Sequence, residues 1–200
     1  MAAVAITLAI LAGGAATRLD GRDKGLQLLC GRPLIAWVID AVAAMREDAR
    51  LAAPLIVANR HLDEYASYAA TIRDDADGFR GPLAGVAAAL HACRSTWLLT
   101  LPVDCPRPPL DLAARLFAAA HEQGSVAAVA HDGERRQPLF ALYRCELAAS
   151  AAVAVDKGQG VWQWQTAIGA CELDFSDRRQ QFRNLNTPED FAAYAAEYEL

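Results

Sequence analysis

The sequence predicts a three-layer α/β sandwich built on a mostly parallel sheet, with one antiparallel excursion. Three observations carry that prediction. Apolar runs alternate with helix-period segments along the chain. The early apolar runs are continuous, as in Leu55-Ile56-Val57 and Trp97-Leu98-Leu99, which is what helices on both faces of a sheet require. Asp132-Gly133 stands between two strand-like runs and signals a hairpin.

The first apolar run, 5–12, is a buried strand that leads into the turn Gly13-Gly14. A helix follows over 33–45, then a strand over 54–58, a helix over 62–68 and a short strand over 70–73. Gly81-Pro82 opens the next helix, 83–93, and a strand follows over 96–101. The second half reads as helix 110–123, strands 126–130 and 137–143, helix 146–155, a weaker strand near 170–174 and helix 188–198. The last helix has a clear start. Thr187 is its N-cap, Pro188 its first residue, and Asp190 approximates a capping box. Repeats, linkers and low-complexity tracts are missing from this reading, apart from an alanine bias that fills helices.

At 200 residues the chain is one domain, 1–200, with a sizeable core. Hydrophobic residues make up 54% and charged residues 22%, the balance of a soluble globular protein. No apolar run reaches the length of a membrane span. The apolar N-terminus carries no Lys or Arg before Arg18, which argues against a secretory signal. A net charge of −5 disfavours a nucleic-acid surface. The five cysteines are odd in number and widely spaced, with no C-x-x-C. That argues against a disulfide framework and structural zinc, and for a reducing cytoplasm. His61, His91, His121 and His131 form no metal-spacing pair. No membrane partner is expected, and a monomer is.

An acidic protein that binds a polyphosphate must concentrate positive charge locally or recruit a divalent metal. The loop after the first strand has the equipment. Glycines let backbone N–H groups approach a phosphate closely, and Arg18, Arg22 and Lys24 add charge. Lys24 is one of two lysines among 19 basic residues, a compact point charge rather than a planar fork. The loop is neither a P-loop, since Gly25 follows Lys24, nor a dinucleotide fingerprint.

Ligands of open parallel sheets bind at the carboxyl ends of strands. Asp104 is the first ionisable residue after strand 96–101, between Pro102 and Pro106. A carboxylate there suits Mg²⁺, which prefers oxygen ligands and substrate phosphates. Asp74 and Asp75 follow strand 70–73, and one of them can hydrogen-bond a base edge. Asn59-Arg60-His61 follows strand 54–58 at the same sheet edge. Gly81, Pro82, Leu83 and Gly85 surround a helix start whose free backbone amides offer a place for base or ribose. Asn184 and Asn186 precede the last helix, where capping and anion binding are equally reasonable. Trp162 and Trp164 offer stacking surfaces, although their spacing of two makes at least one a core residue.

Together these segments resemble the molybdenum cofactor guanylyltransferases. The likeness spans almost the whole chain, in order: L-A-G-G…R…D-K-G at 11–25, G-R-P-L at 31–34, A-N-R-H at 58–61, G-P-L-A-G at 81–85, P-x-D-x-P at 102–106, H-D-G-E-R at 131–135 and N-x-N-T-P-E at 184–189. The first loop marks the wider nucleotidyltransferases, and the later motifs are narrower. The resemblance implies a Rossmann-like, nucleotide-diphospho-sugar transferase-like fold. It implies transfer of GMP from GTP to molybdenum-bound molybdopterin, with Mg²⁺ and release of pyrophosphate. By position it implies that Leu11, Ala12 and Gly13 contact the nucleotide, with Gly14 continuing the turn, while Asn59 is a substrate-binding candidate from its strand end. It places Lys24 on the phosphates, Asp74 on the guanosine, Asp104 on nucleotide and Mg²⁺, and Asn186 with nearby Asn184 toward the pterin, while the charge of Arg18 is expected to join Lys24 in stabilising the leaving group. Molybdoenzymes or their chaperones would receive the product.

The chain departs from that pattern at Val57, where relatives often carry Asn, and at Leu19-Asp20 in place of M-G. It has Gly158-Gln159-Gly160-Val161-Trp162 where a further basic residue is expected. The alternative enzymes are a molybdopterin cytidylyltransferase and a sugar-phosphate nucleotidyltransferase. A non-enzymatic alternative is a nucleotide-binding delivery module, against which the intact Lys24 and Asp104 argue.

Overall fold

The strand Ile6–Leu11, β1, buries both of its faces. Leu8 and Ile10 enter one apolar cluster, while Ala9 and Leu11 enter another on the opposite side. This is the physical basis of the continuous apolar runs. The computed structural model describes residues 5–13, 23–48, 51–74 and 81–198. After β1 come the 3-10 turn η1 (Lys24–Leu26), β2 (Leu28–Leu29), β3 (Arg32–Pro33), α1 (Leu34–Asp48), β4 (Leu55–Val57), α2 (Leu62–Ala66), β5 (Ala70–Ile72), α3 (Pro82–Ala92) and β6 (Trp97–Pro102). The second half holds α4 (Leu112–Glu122), β7 (Ala127–His131), β8 (Arg136–Arg144), η2 (Cys145–Leu147), α5 (Ala148–Asp156), α6 (Val161–Ala167), β9 (Cys171–Asp174), η3 (Ser176–Phe182) and α7 (Pro188–Tyr198).

The main sheet has seven strands in the order β5-β4-β1-β6-β8-β7-β9. β5, β4, β1 and β6 pair in parallel, as do β7 and β9. β8 runs antiparallel between β6 and β7 and is the predicted excursion. Its hairpin with β7 turns at Asp132-Gly133, where Asp132 accepts hydrogen bonds from the amides of Glu134 and Arg135, each at 2.8 Å. Residues of α1, α2, α4 and η3 pack on one face, and residues of α3, α5 and α6 on the other. Thr100 points into the core from β6, but its hydroxyl donates to Leu139 O at 2.9 Å, so its burial is compensated.

Three features differ from the sequence reading. Residues 161–167 form a helix, α6, because buried Trp164 packs against Tyr143 at a ring separation of 5.2 Å. A second difference is the small antiparallel pair β2–β3, while exposed Trp162 beside buried Trp164 agrees with the expectation of at least one core tryptophan. The third difference is a correction. Cys93 and Cys145 form a disulfide, contrary to the expectation of no disulfide framework. Their Cα atoms lie 6.4 Å apart because the end of α3 meets the end of β8, a proximity set by tertiary packing. Cys30, Cys105 and Cys171 are free. Among the described residues no helix is long and apolar enough to cross a membrane.

The start of α7 matches its predicted capping. Asp190 Oδ2 accepts from the amides of Asn186 at 2.8 Å and Thr187 at 2.9 Å, and the Thr187 hydroxyl accepts from the Asp190 amide at 3.2 Å. The Asn186 amide, partly offset by desolvation and reinforced by Thr187, holds the Asp190 carboxyl below the usual range. A depressed folded-state value means that this contribution is complete above the unfolded value of about 4 and is lost as pH falls through the folded one. Thermal unfolding of Asp190→Ala followed from pH 6 to pH 3 should therefore show a shallower loss of stability on the acid side than the parent. An equally steep loss would show that the cap contributes nothing to acid stability.

Candidate active site

The carboxyl ends of β5, β4, β1 and β6 lie side by side at one sheet edge, and the chain leaves each with polar groups. β1 ends in Leu11-Ala12-Gly13 and β6 in Pro102-Val103-Asp104. With Asp23 and Lys24 these segments line a cavity of about 180 Å³. Lys24 Nζ lies 3.0 Å from Asp104 Oδ2 and donates to Asn186 Oδ1 at 2.8 Å. Residues from the first loop, the end of β6 and the approach to α7 therefore converge on one ammonium group.

Local structure explains this convergence. Asp104 O accepts from the Leu185 amide at 2.8 Å, which ties the β6 exit to the segment before α7. Cys105 is buried and its thiol donates to Gln181 O at 3.1 Å. Desolvation, with the Asp104 charge beside it, pushes the Cys105 thiol far up, so it is a neutral anchor and not a nucleophile. Asp23 caps η1 by accepting from the Gly25 amide at 3.1 Å. Gly25 has no room for a side chain, since a Cβ would stand 2.9 Å from Val103 Cγ2 and strike the Tyr65 hydroxyl.

The second half of the site lies beside β4 and β5. Asn59 Nδ2 donates to Asp74 Oδ2 at 2.9 Å, and Asn59 Oδ1 accepts from the Asp74 amide at 3.3 Å. This two-way bond fixes the Asp74 carboxylate beside Gly13, where a Cβ would approach Asp74 Oδ2 to 3.8 Å. His61, with φ at 51°, turns the chain from this corner into α2. Leu11, Gly13, Val57, Asp74, Gly81, Pro82 and Gly85 line a narrow cleft here. Gly81, with φ at 77°, precedes Pro82 at the start of α3. Val57 is buried and apolar, so the polar group at the β4 end is Asn59.

Most of the predicted site residues therefore surround two connected spaces at one sheet edge. Leu83 is an exception, because its side chain turns into the core. Asn184 stands two residues before Asn186, and its Oδ1 is buried without a partner. Gly14 and Arg18 lie outside the described residues. Leu139 and Tyr65 belong to the site or its support, yet the sequence reading missed both, and it gave Asp23 of the D-K-G motif no role. Leu139 reaches the cavity through the β6–β8 pairing, which spacing does not reveal. A larger cavity of about 890 Å³, lined by Trp37, Arg107, Arg183 and Tyr194 among others, lies behind the Asp104 loop. It contains neither the glycine turn nor Lys24, so size does not mark the chemistry here.

Asp104 Oδ1 is buried and has no hydrogen-bond partner. An orphaned carboxylate oxygen beside a phosphate-sized space matches the donor that Mg²⁺ takes from a protein when phosphates and water complete its shell. Among the described residues no group of three or more His, Cys, Asp or Glu side chains could hold a metal alone. The residues present thus fit a metal shared with a ligand and not an all-protein cage.

A family model described as the MobA-like NTP transferase domain matches residues 8–170. A molybdenum cofactor guanylyltransferase from Shewanella frigidimarina is 40% identical over 188 residues, covering 92% of each chain. The chain belongs to the molybdenum cofactor guanylyltransferase family. A second member, from Burkholderia vietnamiensis, is 40% identical over 201 residues, with 95% of each chain covered. Among solved structures, molybdopterin-guanine dinucleotide biosynthesis protein A from Archaeoglobus fulgidus superposes with a TM-score of 0.78 at 22% identity, covering 96% of this chain and 98% of that one. The 2-C-methyl-D-erythritol 4-phosphate cytidylyltransferase of Thermus thermophilus gives 0.67 at 20% identity, covering 96% and 98%. These two likenesses show the fold, that of the nucleotide-diphospho-sugar transferases. In this member of the guanylyltransferase family, the D-K-G motif is the capped turn that presents Lys24, and N-x-N-T-P-E is the capped start of α7 that presents Asn186.

Proposed function

We propose that this chain transfers GMP from GTP to the terminal phosphate of molybdenum-bound molybdopterin and releases pyrophosphate. The observation that carries this reading is the contact of Lys24 with Asp104, just past the end of β6, and with Asn186, just before α7. That cation and carboxylate line the cavity of about 180 Å³. The family membership supplies the guanine and the pterin.

An oxygen of the acceptor phosphate attacks the α-phosphorus of GTP in line, and the bond to the β-phosphate oxygen breaks. The acceptor is already an anion, so the chain needs no covalent nucleophile. Its task is to hold two anions together and to offset the charge that grows on the leaving pyrophosphate. Lys24 does this by exchanging Asp104 and Asn186 for phosphate oxygens. Asp104 would hold Mg²⁺, with its orphaned Oδ1 as the open ligand. When bound, Mg²⁺ supplies charge neutralisation on the phosphate oxygens. The Leu11-Ala12-Gly13 segment approaches the nucleotide. Asp74, held by Asn59, takes the guanosine. Asn184 and Asn186 face the acceptor side.

Calorimetric titration with GTP, CTP and ATP, each with and without Mg²⁺, tests the nucleotide half of this reading. Selective binding of GTP that Mg²⁺ strengthens is the expected result. Preference for CTP would move the chain to a cytidylyl transfer. In the same assay Asp74→Ala should weaken GTP by about tenfold or more, the loss of a hydrogen bond to a charged group. An unchanged Kd would return Asp74 to a solvated loop.

A further inference from the structure

Tyr65 is fully buried in α2, yet its hydroxyl is neither idle nor turned to a backbone carbonyl. It bonds to Oδ1 of Asp23, which is 42 positions earlier in the chain. That same oxygen accepts from the Gly25 amide at 3.1 Å. The residue between them is Lys24. Tyrosine hydroxyls buried in a core need a partner, and a carboxylate makes the stronger kind of hydrogen bond. The ring packs in the core cluster that contains Ile10, Ile56 and Val103, so the hydroxyl is fixed relative to the sheet. A Cβ on Gly25 would strike that hydroxyl and crowd Val103, so only glycine lets the turn lie this close.

We propose that Tyr65 is a positioning residue for the transfer reaction, acting through Asp23 to hold Lys24 at the phosphate site. The proposal rests on the reading of Lys24 as the phosphate-binding cation. Burial, together with the Asp23 bond and charge, pushes the Tyr65 phenol far up, so the hydroxyl keeps its proton and donates at every working pH. The loop that carries Lys24 leaves β1, whereas Tyr65 follows β4. The bond therefore links the loop to a neighbouring strand's exit. The same segment supplies Asn59 for Asp74, so one short stretch of chain frames both the phosphate side and the base side of the site.

The test is steady-state kinetics of GMP transfer in a double-mutant cycle of Tyr65→Phe and Lys24→Ala. Phenylalanine keeps the ring in the core and removes only the hydroxyl. Tyr65→Phe should lower kcat about tenfold with the KM for GTP within about twofold, as for a lost hydrogen bond to a charged group. In the Lys24→Ala background it should have no further effect, because the group that it positions is gone. Effects that multiply in the double variant, or normal turnover of Tyr65→Phe beside a slow Lys24→Ala, would overturn the role of Tyr65 alone. Normal turnover of Lys24→Ala would overturn the site reading and the proposal with it. Asp23→Asn approaches the same bond from its other end. If Tyr65→Phe does not fold, Asp23→Asn carries the test with the same expected loss of kcat and the same silence in the Lys24→Ala background.

Discussion

Replacing Asp104 by alanine is expected to lower kcat by about a hundredfold or more while leaving the fold at least as stable as before. The first half follows from its place. Asp104 Oδ2 is the ion-pair partner of Lys24, and Oδ1, buried without a hydrogen-bond partner, is the oxygen that the proposed Mg²⁺ would take. Loss of one preorganised electrostatic group at a reacting phosphate costs on the order of a hundredfold or more. The second half follows from the same oxygen. A buried acceptor without a partner costs about 1–3 kcal/mol, and alanine removes that cost. The loop itself is held by backbone, through the Asp104 carbonyl and Leu185, and by the Cys105 thiol, so the substitution removes no anchor. Activity lost with stability kept or raised is the signature of a group retained for function. Turnover near normal would refute the assignment. A large fall in melting temperature would show that Asp104 is a structural residue.

Lys24→Ala should be of similar size, again about a hundredfold or more in kcat. Its expected pattern differs. The ammonium group serves both Asp104 and Asn186, so its loss leaves two acceptors without their donor. Lys24 is nearly one-third exposed, so water can replace it and the fold should survive. Lys24→Arg should restore only part of the rate. A planar guanidinium cannot take the place of a compact ammonium between a carboxylate and an amide oxygen. Kinetics of the two variants against the parent check this. Full activity of the arginine variant would mean that charge alone matters there.

Much of the fold was legible because a parallel strand covered on both faces announces itself as a continuous apolar run. Strand 96–101 led directly to Asp104, and Asp132-Gly133 led to the antiparallel β8. The start of α7 was legible because capping is local chemistry. The unread parts depend on contacts distant in sequence. Lys24 and Asn186 are 162 positions apart, and tertiary contacts such as the tie between Asp104 and Leu185 bring them together. Cys93 and Cys145 meet because α3 and β8 end side by side, across a separation of 52. α6 was hidden by Gly158 and Gly160 before it and by a pair of tryptophans of which one alone is buried. Tyr65 carried no motif of its own, and its meaning rests on Asp23, on a different loop.

The most direct measurement supplies the purified chain with molybdenum-bound molybdopterin, Mg²⁺ and GTP radiolabelled at its α-phosphate. The account predicts that label moves from GTP to the pterin in step with pyrophosphate release, and that CTP labelled in the same way does not replace it. Label that stays on GTP while the nucleotide binds, or transfer from CTP in preference to GTP, would contradict the guanylyl transfer proposed here.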